Sequence, residues 1–333
     1  MGKNRVSVLV TFYNQEMYVE RALKSILKQK TDFGVRILVG DDASSDGTRK
    51  IIQRLMEENP NQIELFVMDK TNNNDVPGFR ASRNRLNLLK HVETEYFIFL
   101  DGDDYFTYDR KLEEQVKILD DANNKDCIAC GHNIEYLNSD GWKKTMVPPK
   151  YVEAKYNGKK YWSKMYFHTN TLLIRSKVIK SIPQKLVENN FNDNLITFLL
   201  IQKGKLYYVP KAWAVYYQTG NGIWTSNNRI VNCIRDLIVY DLCNKINPSM
   251  KRASSRRFTG SWKTLFKKRK EIKADDLELL SVEAYEKDLC NAYKWIHYSE
   301  LGIIEKLNLC IKVICICWKS SVKNMAFKVL FRK

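Results

Sequence analysis

The sequence predicts an α/β protein with a mainly parallel, Rossmann-like sheet, helices on both faces and a helical C-terminal extension. Three observations carry this reading. Short β-rich apolar runs alternate with segments of helical periodicity through the first 120 residues. Three of the strands end in polar or acidic clusters. Cationic residues gather near the end of the chain, with 11 Lys+Arg against Glu271 in residues 245–273 and 7 Lys+Arg with no acid in residues 306–333.

The elements follow in order. VSVLVT (6–11) is nearly continuous in apolar residues, as a strand covered on both faces should be. Tyr18, Ala22 and Ile26, with Val19, Leu23 and Leu27 alongside, recur at helical spacing over 18–28. RILVG (36–40) is a second strand, and Ser45 or Asp46 is the candidate N-cap of a helix reaching about residue 58. A third strand covers 62–68, a helix 81–91, a fourth strand 96–100 and a helix 110–120, with Asp109 as its cap. This βαβ rhythm implies parallel pairing. Past residue 130 the expected order is a turn at 136–141, a loop at 151–160 and TLLIRSKVI as a strand entering a short helix. A helix at 191–202 follows, then KLYYVPKAWAVYYQ as two strands joined at Pro210 and Lys211. The expected domains are 1–226, with the alternating strands and helices, and a basic helical 227–333.

With 333 residues, two domains are expected. Hydrophobic content of 44% and charged content of 28% fit a folded chain rather than a disordered one. The strand that opens at Val6 leaves no room for a signal segment, and no apolar run reaches the roughly 20 residues of a membrane span. The expectation is a cytoplasmic protein whose eight cysteines are reduced thiols. Cys127 and Cys130 form a CxxC without a second pair, which disfavours zinc. The net charge of +17 attracts a polyanion. In 306–333, Lys312, Lys319 and Lys323 share one helical face, with Trp318 and Phe327 as candidate anchors. This pattern fits a helix lying on an anionic membrane surface, or one packed on the first domain. No nucleic-acid motif is present and the basic residues avoid the acidic edge, so nucleic acid is not an expected partner.

In parallel sheets ligands bind beyond the carboxyl ends of the strands. Residues 11–14 (TFYN), Asp41 with Asp42, and Asp101 to Asp104 all fall there. Adjacent carboxylates repel, and a divalent cation is the simplest compensation. Mg²⁺ takes one or two carboxylates plus phosphate oxygens, which suits a short acidic loop. A calcium loop needs ligands across about 12 residues, and this chain leaves that pattern at Tyr105 and Phe106.

VSVLVTFYNQEMYVERALKSILKQ, ILVGDDASSDGT and YFIFLDGDDYFTYDRKLEEQ, in that order, resemble the family 2 glycosyltransferases of the A-type nucleotide-diphospho-sugar transferase (GT-A) fold. The resemblance covers about residues 5–225. It implies that Thr11, Tyr13, Asp41 and Asp42 hold the nucleotide base and ribose, with Arg80 or Arg83 near the phosphates. Asp103 would lie at the ribose and donor sugar and share the metal with Asp104, the metal being Mg²⁺ or Mn²⁺, while Asp101 is structural. Asp193 matches the catalytic base, with Glu188 as runner-up and a plain helix cap as the alternative role for Asp193. His168 and Trp224 belong to the acceptor side. AVYYQTGNGIWTS resembles a segment near the pyrophosphate, but Tyr217 and Thr219 replace its usual Arg and His. The implied activity is metal-dependent, inverting transfer of a sugar from a nucleoside diphosphate, UDP above all. The acceptor would be a saccharide or lipid-linked saccharide at the inner membrane face, as in surface-polysaccharide synthesis. A non-catalytic nucleotide-sugar-binding relative is the alternative. A nucleotidyltransferase ranks last, because FYNQEMY lacks a Gly-rich loop and a basic residue.

Overall fold

The computed structural model describes residues 2–69, 77–158, 162, 167–220 and 229–250, with isolated positions beyond. The chain divides into two compact units, Met1–Thr225 and Ser226–Lys333.

The first unit opens with β1 (Asn4–Phe12), whose Val6, Val8, Leu9 and Val10 are fully buried. Helix α1 (Glu16–Leu27) buries Val19, Ala22, Leu23 and Ile26, the stripe expected from its periodicity. Then come β2 (Gly34–Asp41), α2 (Thr48–Glu58), β3 (Ile63–Val67), α3 (Pro77–Leu89) and β4 (Tyr96–Asp101). These strands lie in the order β3-β2-β1-β4 and pair in parallel throughout. Next are β5 (Tyr105–Phe106), α4 (Lys111–Asp120), β6 (Cys127–Asn138), β7 (Lys143–Thr145), β8 (Ala154–Tyr156), β9 (Leu173–Arg175), α5 (Asp193–Ile201) and β10 (Lys205–Gln218). They extend the sheet through β9, β6, β10 and β5, with β7 on β6 and β8 on β10. Among the described residues of this half, only the β6–β10 pairing is parallel.

Register sets the site. Thr11 pairs with Gly40 on one side and with Asp101 on the other, and Phe12 pairs with Asp41. The three polar clusters therefore leave the sheet at one level of one edge. The apolar cores of these strands leave no slack, because a one-residue slip would turn each buried face outward.

Four local expectations change. The stretch 205–218 is one strand, not two. Pro210 has no N–H to give the ladder, so the strand passes it with register shifts between Val209 and Ala212 and between Ala212 and Val215. The loop expected at 151–160 contains β8. Gly47, not Ser45 or Asp46, is the N-cap of α2. Asp46 instead accepts from Thr48 N (3.0 Å) and Glu16 N (3.1 Å), tying together the starts of α1 and α2. Asp109 does not cap α4; it pairs with Lys30 at 2.6 Å.

In the second unit, α6 (Arg229–Ile246) buries Leu237, Val239, Tyr240 and Cys243. Apart from isolated positions, the basic stretches 251–273 and 306–333 lie outside the described residues, as does Trp224. Among the described residues no helix is long and apolar enough to cross a membrane. Cys127, Cys130, Cys233 and Cys243 are free and buried.

Gly102, inside the acidic cluster, is fixed by close approach. A Cβ there would lie 2.2 Å from Phe12 Cδ1 and 2.4 Å from Gln15 Oε1. Phe12 is buried and cannot yield cheaply. Gly102→Ala is expected to cost about 1–3 kcal/mol. In a thermal melt this lowers Tm by roughly 2–4 °C per kcal/mol; an unchanged Tm would refute the close packing.

Candidate active site

The loops after β1 and β2 are laced together. Asn14 and Ala43 take positive φ (49° and 56°), a conformation that costs a non-glycine residue about 1–2 kcal/mol. Hydrogen bonds hold it: Asn14 N donates to Ser44 Oγ (2.9 Å) and Ser45 N to Asn14 Oδ1 (2.8 Å). Asp41 is fully buried and occupied within the loop, accepting from Ser44 N at 3.1 Å and pairing with Arg49 at 3.2 Å. Asp42 is gripped by Arg80, whose Nε and Nη2 donate to its two carboxylate oxygens at 2.9 and 3.0 Å. Burial pushes the Asp42 carboxyl up, and Arg80 opposes this. The Arg80 guanidinium also lies 5.5 Å from the centre of the Tyr13 ring. Tyr13 is 51% exposed, so it is not a packing aromatic. Of the expected donor residues, Tyr13, Asp42 and Arg80 therefore come together, Thr11 sits below them at the strand end, and Asp41 shapes the loop from within.

The acidic cluster is a tight turn closed by Asp104 N donating to Asp101 O at 2.9 Å. Asp104 is fully buried. It accepts from Tyr217 N at 3.0 Å and from Asn170 Nδ2 at 2.8 Å. His168 Nδ1 lies 3.7 Å from Asp104 Oδ2 and has no hydrogen-bond partner. Asp101 accepts from Arg85 at 2.6 Å. Burial, and then the Asp101 charge, push the Asp103 carboxyl up to about 7. Burial followed by the Asp103 and Asp101 charges pushes Asp104 well above the ordinary range. Ligand atoms of Asp101, Asp104 and His168 lie within 4.8 Å of one another, a set able to hold a metal ion. Asp104, expected at the metal, is in this set; Asp103, its expected partner there, is not among the three. His168, expected on the acceptor side, lies beside Asp104 in this cluster, as does Asp101, which pairs with Arg85.

Asp193 opens α5, and it is not the cap. Asn192 is the N-cap, its side chain accepting from Leu195 N at 3.1 Å. The Asp193 carboxylate is thereby left for the site. It accepts from Thr169 Oγ1 (3.2 Å), pairs with Arg85 (3.5 Å) and lies 3.6 Å from His168 Nε2. One imidazole thus spans Asp104 and Asp193, and one guanidinium spans Asp101 and Asp193. The runner-up Glu188 is exposed at the end of a short helical turn.

Sequence reasoning missed Arg85, Asn170 and Arg21. For Arg85 a signal existed: a cation at the spacing of Ser82, Leu88 and Leu89, on the buried side of α3. Asn170 is invisible locally, because its partner Asp104 is 66 residues away.

With this geometry in place, the comparisons with known proteins are decisive at family level. The model of "Glycosyl transferase family 2" matches residues 7–182. The chain belongs to this family. An uncharacterized protein of Mycobacterium bovis is 28% identical over 225 residues, which are 66% of this chain and 61% of that relative's length. Staphylococcus aureus TarS 1–349, solved with UDP-GlcNAc, superposes with a TM-score of 0.67 at 17% identity, covering 96% of this chain and 92% of TarS 1–349. The mannosyltransferase PcManGT of Pyrobaculum calidifontis, solved with GDP-Man and Mn²⁺, gives a TM-score of 0.53 at 17% identity, covering 97% of this chain and 87% of that one. The fold is the GT-A type that the sequence motifs implied.

The crowding of carboxylates makes a stability prediction. A carboxyl whose folded pKa is raised destabilises the fold as pH climbs from the ordinary Asp range, near 4, through the raised value. Asp104→Asn removes that burden, and the Asn170 amide can turn to receive it. The melting temperature of Asp104→Asn relative to wild type should therefore climb between pH 5 and pH 8, and Mn²⁺ added to wild type should narrow the gap. A gap independent of pH would mean that the cluster carries no uncompensated charge.

Proposed function

We propose that this protein is a metal-dependent inverting glycosyltransferase that moves a sugar from a UDP-type nucleoside diphosphate to a hydroxyl of a saccharide or lipid-linked saccharide. The observation that carries the reading is His168, whose two ring nitrogens face Asp104 and Asp193 at 3.7 and 3.6 Å. A metal-capable carboxylate and a candidate base are thus one imidazole apart. Family membership and the UDP-GlcNAc and GDP-Man held by the two solved relatives support the donor class.

The residues fit a divalent cation. Two carboxylates and an imidazole converge, and the imidazole nitrogen facing Asp104 is buried without a partner. An imidazole in the set favours Mn²⁺ over the strictly oxygen-seeking Mg²⁺. Bound there, the cation would neutralise charge on the departing diphosphate. The protein's own groups do the rest. Tyr13 flanks the base, and Asp42, fixed by Arg80, accepts a hydrogen bond from it. Asp193 takes the proton of the acceptor hydroxyl as its oxygen attacks the anomeric carbon. The bond from that carbon to the diphosphate breaks on the opposite face, inverting the centre. Arg85 and the start of α5 favour the negative charge that Asp193 needs to act as a base. Tyr216, 4.7 Å from His168 ring to ring, and Tyr136, 5.3 Å from Tyr216, give the acceptor an aromatic wall beside the base.

Asp193→Asn is expected to lower kcat for transfer from a UDP-sugar by about 10²–10⁴-fold, while UDP affinity measured by calorimetry stays within a factor of about two to three. Turnover preserved in this variant would remove Asp193 from the mechanism. UDP binding with no turnover in wild type against a panel of nucleotide sugars and acceptors would favour the non-catalytic alternative.

A further inference from the structure

The arginines that line the ligand edge differ in one respect. Arg49 pairs with Asp41 at 3.2 Å, Arg80 with Asp42 at 2.9 Å and Arg85 with Asp101 at 2.6 Å. Arg21, on α1, pairs with no carboxylate among the described residues. It reaches the acidic turn through the main chain, donating from Nη2 to Asp103 O at 2.9 Å. Its Nε is buried without an acceptor, and Nη1 makes no hydrogen bond among the described residues. A guanidinium offers five N–H donors, so most of this one's capacity is unused.

Its position is nevertheless fixed. The guanidinium carbon lies 4.4 Å from the centre of the Tyr217 ring, 4.5 Å from that of Tyr105 and 5.5 Å from that of Tyr18. Two hydrogen bonds fix the cage, one to the acidic turn and one between β5 and α1. Tyr217 N donates to Asp104 Oδ1 at 3.0 Å, and Phe106 N, next to Tyr105, donates to Ser25 Oγ of α1 at 3.1 Å. Three rings hold a cation without neutralising it. The fold thus keeps an ordered positive charge, with donors to spare, against the turn that carries Asp103 and Asp104.

We infer that Arg21 is a ligand of the donor's diphosphate, held ready by Tyr18, Tyr105 and Tyr217. This rests on the nucleoside-diphosphate reading above. A phosphate oxygen accepts from the guanidinium, and the cation supplies charge that Tyr217 and Thr219 do not. A purely structural Arg21 would brace the turn through Asp103 O and have no preference among ligands.

The test is calorimetric titration of wild type, Arg21→Gln, Arg21→Lys and Tyr217→Leu with UDP plus Mn²⁺, and with uridine as a competitor lacking phosphates. The inference predicts that Arg21→Gln weakens UDP by about 10- to 100-fold and leaves uridine unchanged. Arg21→Lys should retain part of the affinity, and Tyr217→Leu, which opens the cage but keeps the cation, should lose part of it. Unchanged UDP affinity in Arg21→Gln overturns the inference, as does an equal loss for UDP and uridine. If Arg21→Gln does not fold, the split between UDP and uridine in Tyr217→Leu decides. Wild type that binds neither ligand overturns the nucleotide reading itself, an outcome distinct from failure of the Arg21 assignment alone.

Discussion

The burial of Asp104 beside two further carboxylates is the constraint on which the rest of the site depends. An unpaired buried charge is among the costliest features a fold can carry. Here the main chain of Tyr217, the amide of Asn170 and the imidazole of His168 all turn toward one carboxylate. The two hydrogen bonds that it accepts come from neutral groups, a peptide N–H and a side-chain amide, so neither offsets its charge. A divalent cation with a diphosphate attached would do so.

The scaffold explains how so much polarity is tolerated. Strands β1, β2 and β4 are buried along their length and cannot shift register, so Thr11, Asp41 and Asp101 arrive at one level. The antiparallel half then delivers His168, Thr169 and Asn170 ahead of β9, and Tyr216 and Tyr217 near the end of β10. Arg85 ties α3 to both halves by touching Asp101 and Asp193. The parallel half thereby carries the loops with Asp42 and the acidic turn, and the antiparallel half carries the groups that contact Asp104.

How much of this was legible in the sequence follows from the range of each interaction. The parallel half was legible because apolar runs and helical stripes are local signals, and the strand ends then placed the acidic clusters on one edge. Asp193 was placed by its resemblance to the family. Its freedom from capping was not legible, since Asn192 and Asp193 are equally good caps by type. The surroundings of Asp101 could not be read either, because Arg85 and His168 are brought in from α3 and from the stretch before β9. The division at Pro210 failed for the opposite reason. A local rule about proline was applied to a long strand that absorbs the missing donor with a bulge.

The measurement that bears most directly on the metal-centre claim is a proton count. Mn²⁺ would be titrated into the protein with UDP present, near pH 6.5, in buffers of different ionisation enthalpy. The raised carboxyls of Asp103 and Asp104 predict that binding releases about one proton or more per cation, a release that Asp104→Asn abolishes along with most of the affinity. Binding with no proton release, or Mn²⁺ affinity unaffected by Asp104→Asn, would contradict a cation site built on this buried acidic turn.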